Sequence, residues 1–144
     1  MLCSMLCLTF VSSIYTHKIQ HRVQVCEDVV RSAELHEVDP LLAIAVSHVE
    51  SGLQRGLVSS EGAVGPMQVM RRFWCKSKPC NLIDAGMYAL KHYQLRYGHE
   101  ESLCRYSSGG RCAKSSGPRV YRDKVLKMKR VVESISEGVC VDGC

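Results

Sequence analysis

Residues 39–50 read "DPLLAIAVSHVE", and this stretch limits the fold more than any other part of the chain. Asp39 followed by Pro40 is a helix start: a side-chain acceptor for the first free N–H groups, then a residue whose φ is already set and which has no N–H to leave idle. The residues that follow are apolar nearly all round. A helix without a polar face needs cover on every side, so the rest of the chain has to wrap around it. At 144 residues the chain is long enough for one domain with a real core and short for two. The expectation is a single, mainly α domain built on a central buried helix.

The wrapping elements can be read from period and punctuation. Val23, Cys26, Val29, Val30 and Ala33 follow helical spacing, with Glu27, Asp28 and Arg31 on the other side. Gly52, Gly56, Gly62 and Gly65 break the pattern, which predicts a loop with tight turns over 51–65. Pro66 is expected to open a short helix to about Phe73. Asn81 is a natural N-cap for "LIDAGMYALKHYQLRY", in which Leu82, Gly86, Ala89, Tyr93 and Tyr97 share a face and Gly98 is the stop. Residues 100–107 read as a short helix, and "SSGGRCAKSSG" as a polar connection. From Pro118 a last helix carries the stripe Tyr121, Val125, Met128, Val132 and Ile135, with Arg122, Lys124, Lys127, Lys129 and Arg130 mostly off it. There is no long alternating strand pattern and no internal repeat.

Nine cysteines in so short a chain point to an oxidising compartment. The pairs Cys75/Cys80, Cys104/Cys112 and Cys140/Cys144 are close enough for local bridges. No C-x-x-C occurs and the spacings fit no common zinc framework, so no metal is expected. The opening "MLCSMLCLTFVSSI" is apolar over about a dozen residues, short of the roughly 20 that span a bilayer as a helix. It reads as a secretory leader, with Val11 and Ser13 as small residues before a cut, as a buried N-terminal segment, or as a hydrophobic tail that docks on a partner. The chain is accordingly divided into residues 1–16, a body at 17–137 and a cysteine-containing tail at 138–144. The net charge of +5 suits an anionic partner without choosing one. Basic residues without interleaved aromatics or a reading motif argue against nucleic acid.

Glu50 closes the apolar run. Its carboxylate is partly desolvated there and faces the negative end of the helix dipole, and both effects favour the protonated form. A glutamate that keeps its proton near neutral pH is a general acid. Nearby, Gly62 and Gly65 allow close backbone approach either to a ligand or to a neighbouring helix, and Gln68 supplies a donor and an acceptor among the apolar Met67, Val69 and Met70. No phosphate-cradling pattern is present. His48, two residues from Glu50, points to another side of the helix and receives no catalytic role.

The order of motifs resembles that of the soluble lytic transglycosylase family, which has a goose-type-lysozyme-like fold. "ESG" at 50–52, "SSEGAVGPMQVM" at 59–70, "NLIDAGMYAL" at 81–90 and "RYSSG" at 105–109 carry the resemblance, which covers Asp39 to Tyr121. It implies that Glu50 is the single catalytic acid and base, with Ser51 beside it. Ser59, Met67 and Gln68 fall in the motif S-x-x-G-A-x-G-x-M-Q along the glycan groove, with Gly62 and Gly65 as its structural glycines. Asn81 and Gly86 match a mainly structural helix motif. Tyr106 matches a tyrosine expected close to the acid, and Tyr121 resembles one on the family's final helix. Arg105 and Ser107 depart from the usual alanine and asparagine of A-Y-N-A-G, and a shorter Ser107 side chain offers fewer hydrogen bonds to substrate.

The resemblance further implies the reaction: cleavage of the β-1,4 bond between N-acetylmuramic acid and N-acetylglucosamine in peptidoglycan, leaving 1,6-anhydro ends and using no cofactor. Most glycosidases need two carboxylates. Glu61 and Asp84 are the nearest candidates for a second, one in the variable middle of a motif and the other in a helix's first turn. Two rival expectations follow: a hydrolytic muramidase on the same fold, and a wall-binding component that has lost catalysis. The expected setting is the periplasm, the cell envelope or the exterior, alone or within an envelope-spanning or phage assembly, and no transmembrane span is expected.

Overall fold

The computed structural model describes the backbone of residues 2–143 and the side chains of residues 3–140. Seven helices make up the described chain: α1 (Leu2–Ile14), α2 (Ile19–Leu35), α3 (Pro40–Ser51), α4 (Arg71–Trp74), α5 (Leu82–Tyr97), α6 (His99–Ser108) and α7 (Ser116–Gly143). No strands form among the described residues. Two isolated antiparallel bridges, Val58 with Val64 and Val64 with Val69, stitch the loop before α4.

α3 is the central helix. Asp39 caps it by accepting from the Leu41 N–H at 2.9 Å, and Leu42 to Ser47 are all buried. α2 packs on one side and α7 on another, and α1 lies across both of these neighbours. α5 joins through α2 and α6, and α6 closes onto α7. The apolar stripe on α7 faces the core as expected: Val125 and Val132 are fully buried, with Tyr121, Met128 and Ile135 packed beside them.

Several expectations are corrected. Residues 66–70 are not helical, because Val64 and Val69 exchange backbone hydrogen bonds at 3.0 Å and Gln68 sits in the left-handed region at φ 49°. The helix starts only at Arg71. The apolar N-terminal stretch, for which a buried segment was one expectation, is a packed helix, with Phe10 and Val11 fully buried in the common core. A disulfide between Cys7 and Cys26 ties it to α2. Local spacing did not suggest that bridge, since its partners are 19 residues apart on the apolar faces of two helices. α7 runs on through residues 138–143, where a separate tail was expected. The bridges Cys75–Cys80 and Cys104–Cys112 form. Cys144, and with it the expected bridge to Cys140, lies outside the described residues.

Candidate active site

Glu50 stands on the last turn of α3, which ends at Gly52 in the left-handed conformation (φ 63°). That corner is enclosed by three elements. From α7, the Tyr121 hydroxyl donates to Glu50 Oε1 at 2.7 Å. From α6, Tyr106 comes close enough for the Glu50 charge to bear on its phenol. Between them runs the loop around Met67.

The loop is held down by α3 itself. Ser47 and Ser51, one turn apart and both buried, donate to the Pro66 carbonyl at 3.0 and 2.8 Å. The Tyr106 hydroxyl donates to the next carbonyl, that of Met67, at 2.6 Å. Met67 is fully buried, seated on Gly86 of α5. A Cβ at Gly86 would lie 2.3 Å from the Met67 Cβ, so the approach of loop to helix requires glycine at that position. Gly65 has the same role in the loop itself: its φ is 80°, and a Cβ there would meet Leu82 Cδ1 at 2.9 Å. Asn81 caps α5 by accepting from the N–H groups of Ile83 and Asp84.

The electrostatics follow from this enclosure. Burial pushes the Glu50 carboxyl up from the usual carboxylate range to about 7, and the hydrogen bond from Tyr121 opposes that rise. No other carboxylate contributes to the shift. Burial, and then the neighbouring Glu50, push the phenols of Tyr106 and Tyr121 well above their ordinary value, so both remain neutral donors. His48 points away, its ring between Phe10 and Tyr15, and burial lowers its pKa.

Among the residues singled out in the sequence, Glu50, Met67, Tyr106 and Tyr121 come together. The others sit at a structural remove. Ser51 is 4% exposed, with its hydroxyl engaged by Pro66. Ser59 Oγ accepts from the Ala63 N–H at 3.0 Å, folding the turn in which Gly62 adopts φ 87°. Gln68 donates through Nε2 to the carbonyls of Leu57 and Gly65, both at 3.0 Å, and so braces its own loop. Ser107 is exposed and turns its hydroxyl back to the Cys104 carbonyl. Arg105, in place of the family's alanine, lies over the Tyr97 ring at 4.1 Å. Ser47 was missed, although its i,i+4 spacing from Ser51 on a helix otherwise free of hydroxyls was a signal that both serve one acceptor.

The two acids considered as partners are placed differently. Asp84 accepts from the Ser32 hydroxyl at 2.5 Å, and Glu61 is exposed on the loop. Among the described residues no group of three or more His, Cys, Asp or Glu side chains is placed to hold a metal ion. No helix among them is long and apolar enough to cross a membrane.

A search of curated proteins and a search of solved structures each returned no match. The model of the family described as the Transglycosylase SLT domain matches residues 29–128, a stretch that takes in Glu50, the Met67 loop, Tyr106 and Tyr121. The chain belongs to this family of glycan-cleaving transglycosylases.

Proposed function

We propose that the chain is a lytic transglycosylase that cuts peptidoglycan between N-acetylmuramic acid and N-acetylglucosamine, with Glu50 as the only acid and base. The observation that carries this reading is a carboxyl held at about 7 by burial, with one oxygen engaged by Tyr121. The Tyr121 bond leaves Oε2 to carry the proton. Near neutrality a large fraction of Glu50 is protonated, and it hands that proton to the bridging oxygen as the glycosidic bond breaks. The carboxylate left behind keeps its hydrogen bond from Tyr121, which strengthens once the acceptor is charged.

The muramyl C6 hydroxyl then attacks C1, forming the O6–C1 bond, and gives its proton to Glu50 Oε2. Glu50 is restored, no water is consumed and the product is a 1,6-anhydro end. A second carboxylate is unnecessary, because an aligned intramolecular hydroxyl has an effective concentration on the order of 10⁵ M or more. Tyr106 and the loop through Pro66 and Met67 set the wall against which the sugar is aligned. In this reading Ser51, Ser59 and Gln68 hold that wall in place and do not touch the glycan. The disulfides support action in an oxidising setting, at the cell envelope or outside the cell.

Mass spectrometry of purified wall digested by the full chain tests the reaction. Anhydro-ended muropeptides are expected, with turnover reduced about 10²- to 10⁴-fold in Glu50→Gln. Reducing ends would replace the proposal with hydrolysis. Equal, negligible clearing by both proteins with binding retained would mark a wall-binding component.

A further inference from the structure

Between Glu61 and Asp84 the chain carries no acidic residue, and the cations of that stretch, Arg71, Arg72, Lys76 and Lys78, fall close together. Many basic side chains elsewhere are already engaged. Arg31 and Arg55 share Asp28, Arg105 faces Glu101, and Lys129 lies between Asp39 and Glu133. Arg22, Lys91 and Arg119 donate to backbone carbonyls. Among the described residues, none of the four cations of the 71–78 stretch forms an ion pair, and all four are exposed.

The fold gathers these charges and holds them outward. α4 carries Arg71 and Arg72, and the Cys75–Cys80 disulfide closes the loop bearing Lys76 and Lys78 directly behind it. The four line a cavity of about 600 Å³, whose remaining wall is the disulfide, Ser77 and Pro79. Like charges brought together repel one another, and an anionic partner relieves that repulsion. The closed loop sets their positions in advance, which lowers the ordering cost of binding. Phe73, between the two pairs of cations in sequence, is 55% exposed, and the Arg72 guanidinium lies over its ring at 4.6 Å.

Fixed cations beside an exposed ring select the partner. A polycarboxylate or a free phosphate satisfies the cations and leaves Phe73 in water. A bilayer of anionic phospholipid uses both: headgroup phosphates meet the guanidinium and ammonium groups, and the ring enters the interface below them. The Arg and Lys stems lie along the same apolar boundary. We propose that the loop over residues 71–80 docks the chain on the surface of an anionic phospholipid bilayer. Met67, at the Glu50 corner, is four residues from Arg71. At most about 14 Å of backbone therefore separates that corner from the docked loop. The docking goes beyond glycan cleavage and does not depend on it.

Co-sedimentation of the full, oxidised chain with lipid vesicles tests the docking. Vesicles of equal parts phosphatidylglycerol and phosphatidylcholine are expected to bind it, more weakly as salt rises, and pure phosphatidylcholine to leave it in solution. Lys76→Gln with Lys78→Gln should weaken binding about 25-fold, on the order of fivefold per charge removed. Lys124→Gln with Lys127→Gln takes the same net charge from exposed positions on α7 and should weaken it less than about twofold. Phe73→Ser should weaken it about tenfold and keep the salt dependence. Glu50→Gln should bind like wild type, so the outcome is read apart from catalysis. No sedimentation with the anionic vesicles would overturn the proposal. So would equal losses in the two lysine pairs, which reduce the effect to net charge. Wild-type affinity in Phe73→Ser would overturn it as well, and would mark the loop as a site for a soluble or polymeric anion.

Discussion

α3 carries a carboxylate at each end, and the two are treated in opposite ways. At the N-terminus Asp39 is exposed. Its Oδ1 accepts from the Leu41 N–H at 2.9 Å and its Oδ2 lies 3.1 Å from Lys129 Nζ. Negative charge is favoured there by the helix dipole and by a cation. At the C-terminus Glu50 is largely buried, faces the carbonyl end of the same helix and is met by a neutral phenol. One end uses a carboxylate to stabilise the helix, and the other disfavours the charge so that the proton stays on. A general acid is the second kind of carboxylate.

The largest effect expected from this contrast, after the loss of turnover in Glu50→Gln, is on stability. Unfolded, the Glu50 carboxyl titrates near 4.5, and folded it titrates at about 7. Between those values the folded chain holds a proton that the unfolded chain has released, so Glu50 lowers stability progressively as pH rises from 4.5 to 7. Beyond 7 the loss levels off, at up to about 3 kcal/mol. Glu50→Gln removes the charge while keeping an acceptor for Tyr121. Urea unfolding should therefore show the variant more stable than wild type by up to that amount at about pH 8, with the difference gone below about pH 4.5. Equal midpoints on the alkaline side would mean that Glu50 is solvated and that the contrast between the helix ends is empty.

Much of this arrangement was legible in the sequence, for reasons specific to each element. α3 could be read because Asp39, Pro40 and an all-round apolar run leave few alternatives, and α5 because Asn81 and Gly98 mark its ends. The raised Glu50 carboxyl followed from its position at the end of such a helix. What could not be read depends on contacts distant in sequence. The 66–70 segment lost its expected helix to pairing with Val64, a preference that no local propensity encodes. Gly86 was identified as structural, but only the approach of the Met67 Cβ gives the reason. Ser51, Ser59 and Gln68 lie in the motifs yet spend their polar atoms on the loop itself, because a loop laid against a buried helix has backbone groups of its own to satisfy: Ser51 and Gln68 donate to the Pro66 and Gly65 carbonyls, and Ser59 accepts from the Ala63 N–H.

A smaller effect tests the phenol. Tyr121→Phe keeps the packing on α7 and removes the hydrogen bond that holds Glu50 down. The carboxyl should then titrate above 7, and the pH at which activity falls on the alkaline side should move upward with it. Turnover should drop about tenfold, because the charged form generated during the reaction loses a hydrogen bond worth about 1.5 kcal/mol. A pH–rate profile that falls at the same pH in both proteins would remove Tyr121 from the site.

The smallest effect belongs to the other end of the helix and separates two reasons for having a carboxylate there. Asp39→Ala removes the acceptor for the Leu41 N–H and should cost about 1 kcal/mol in urea unfolding, with turnover on glycan unchanged. Asp39→Asn keeps a capping oxygen and loses only the ionic contact with the half-buried Lys129, which is weak because the carboxylate side of the pair is exposed to solvent. It should recover most of the loss. If Asn behaves like Ala, charge is what matters at the N-terminus, and the two ends of α3 then differ in the sign of one electrostatic effect. If Asn restores stability, they differ in kind: geometry decides the role of the carboxylate at Asp39, and protonation decides it at Glu50.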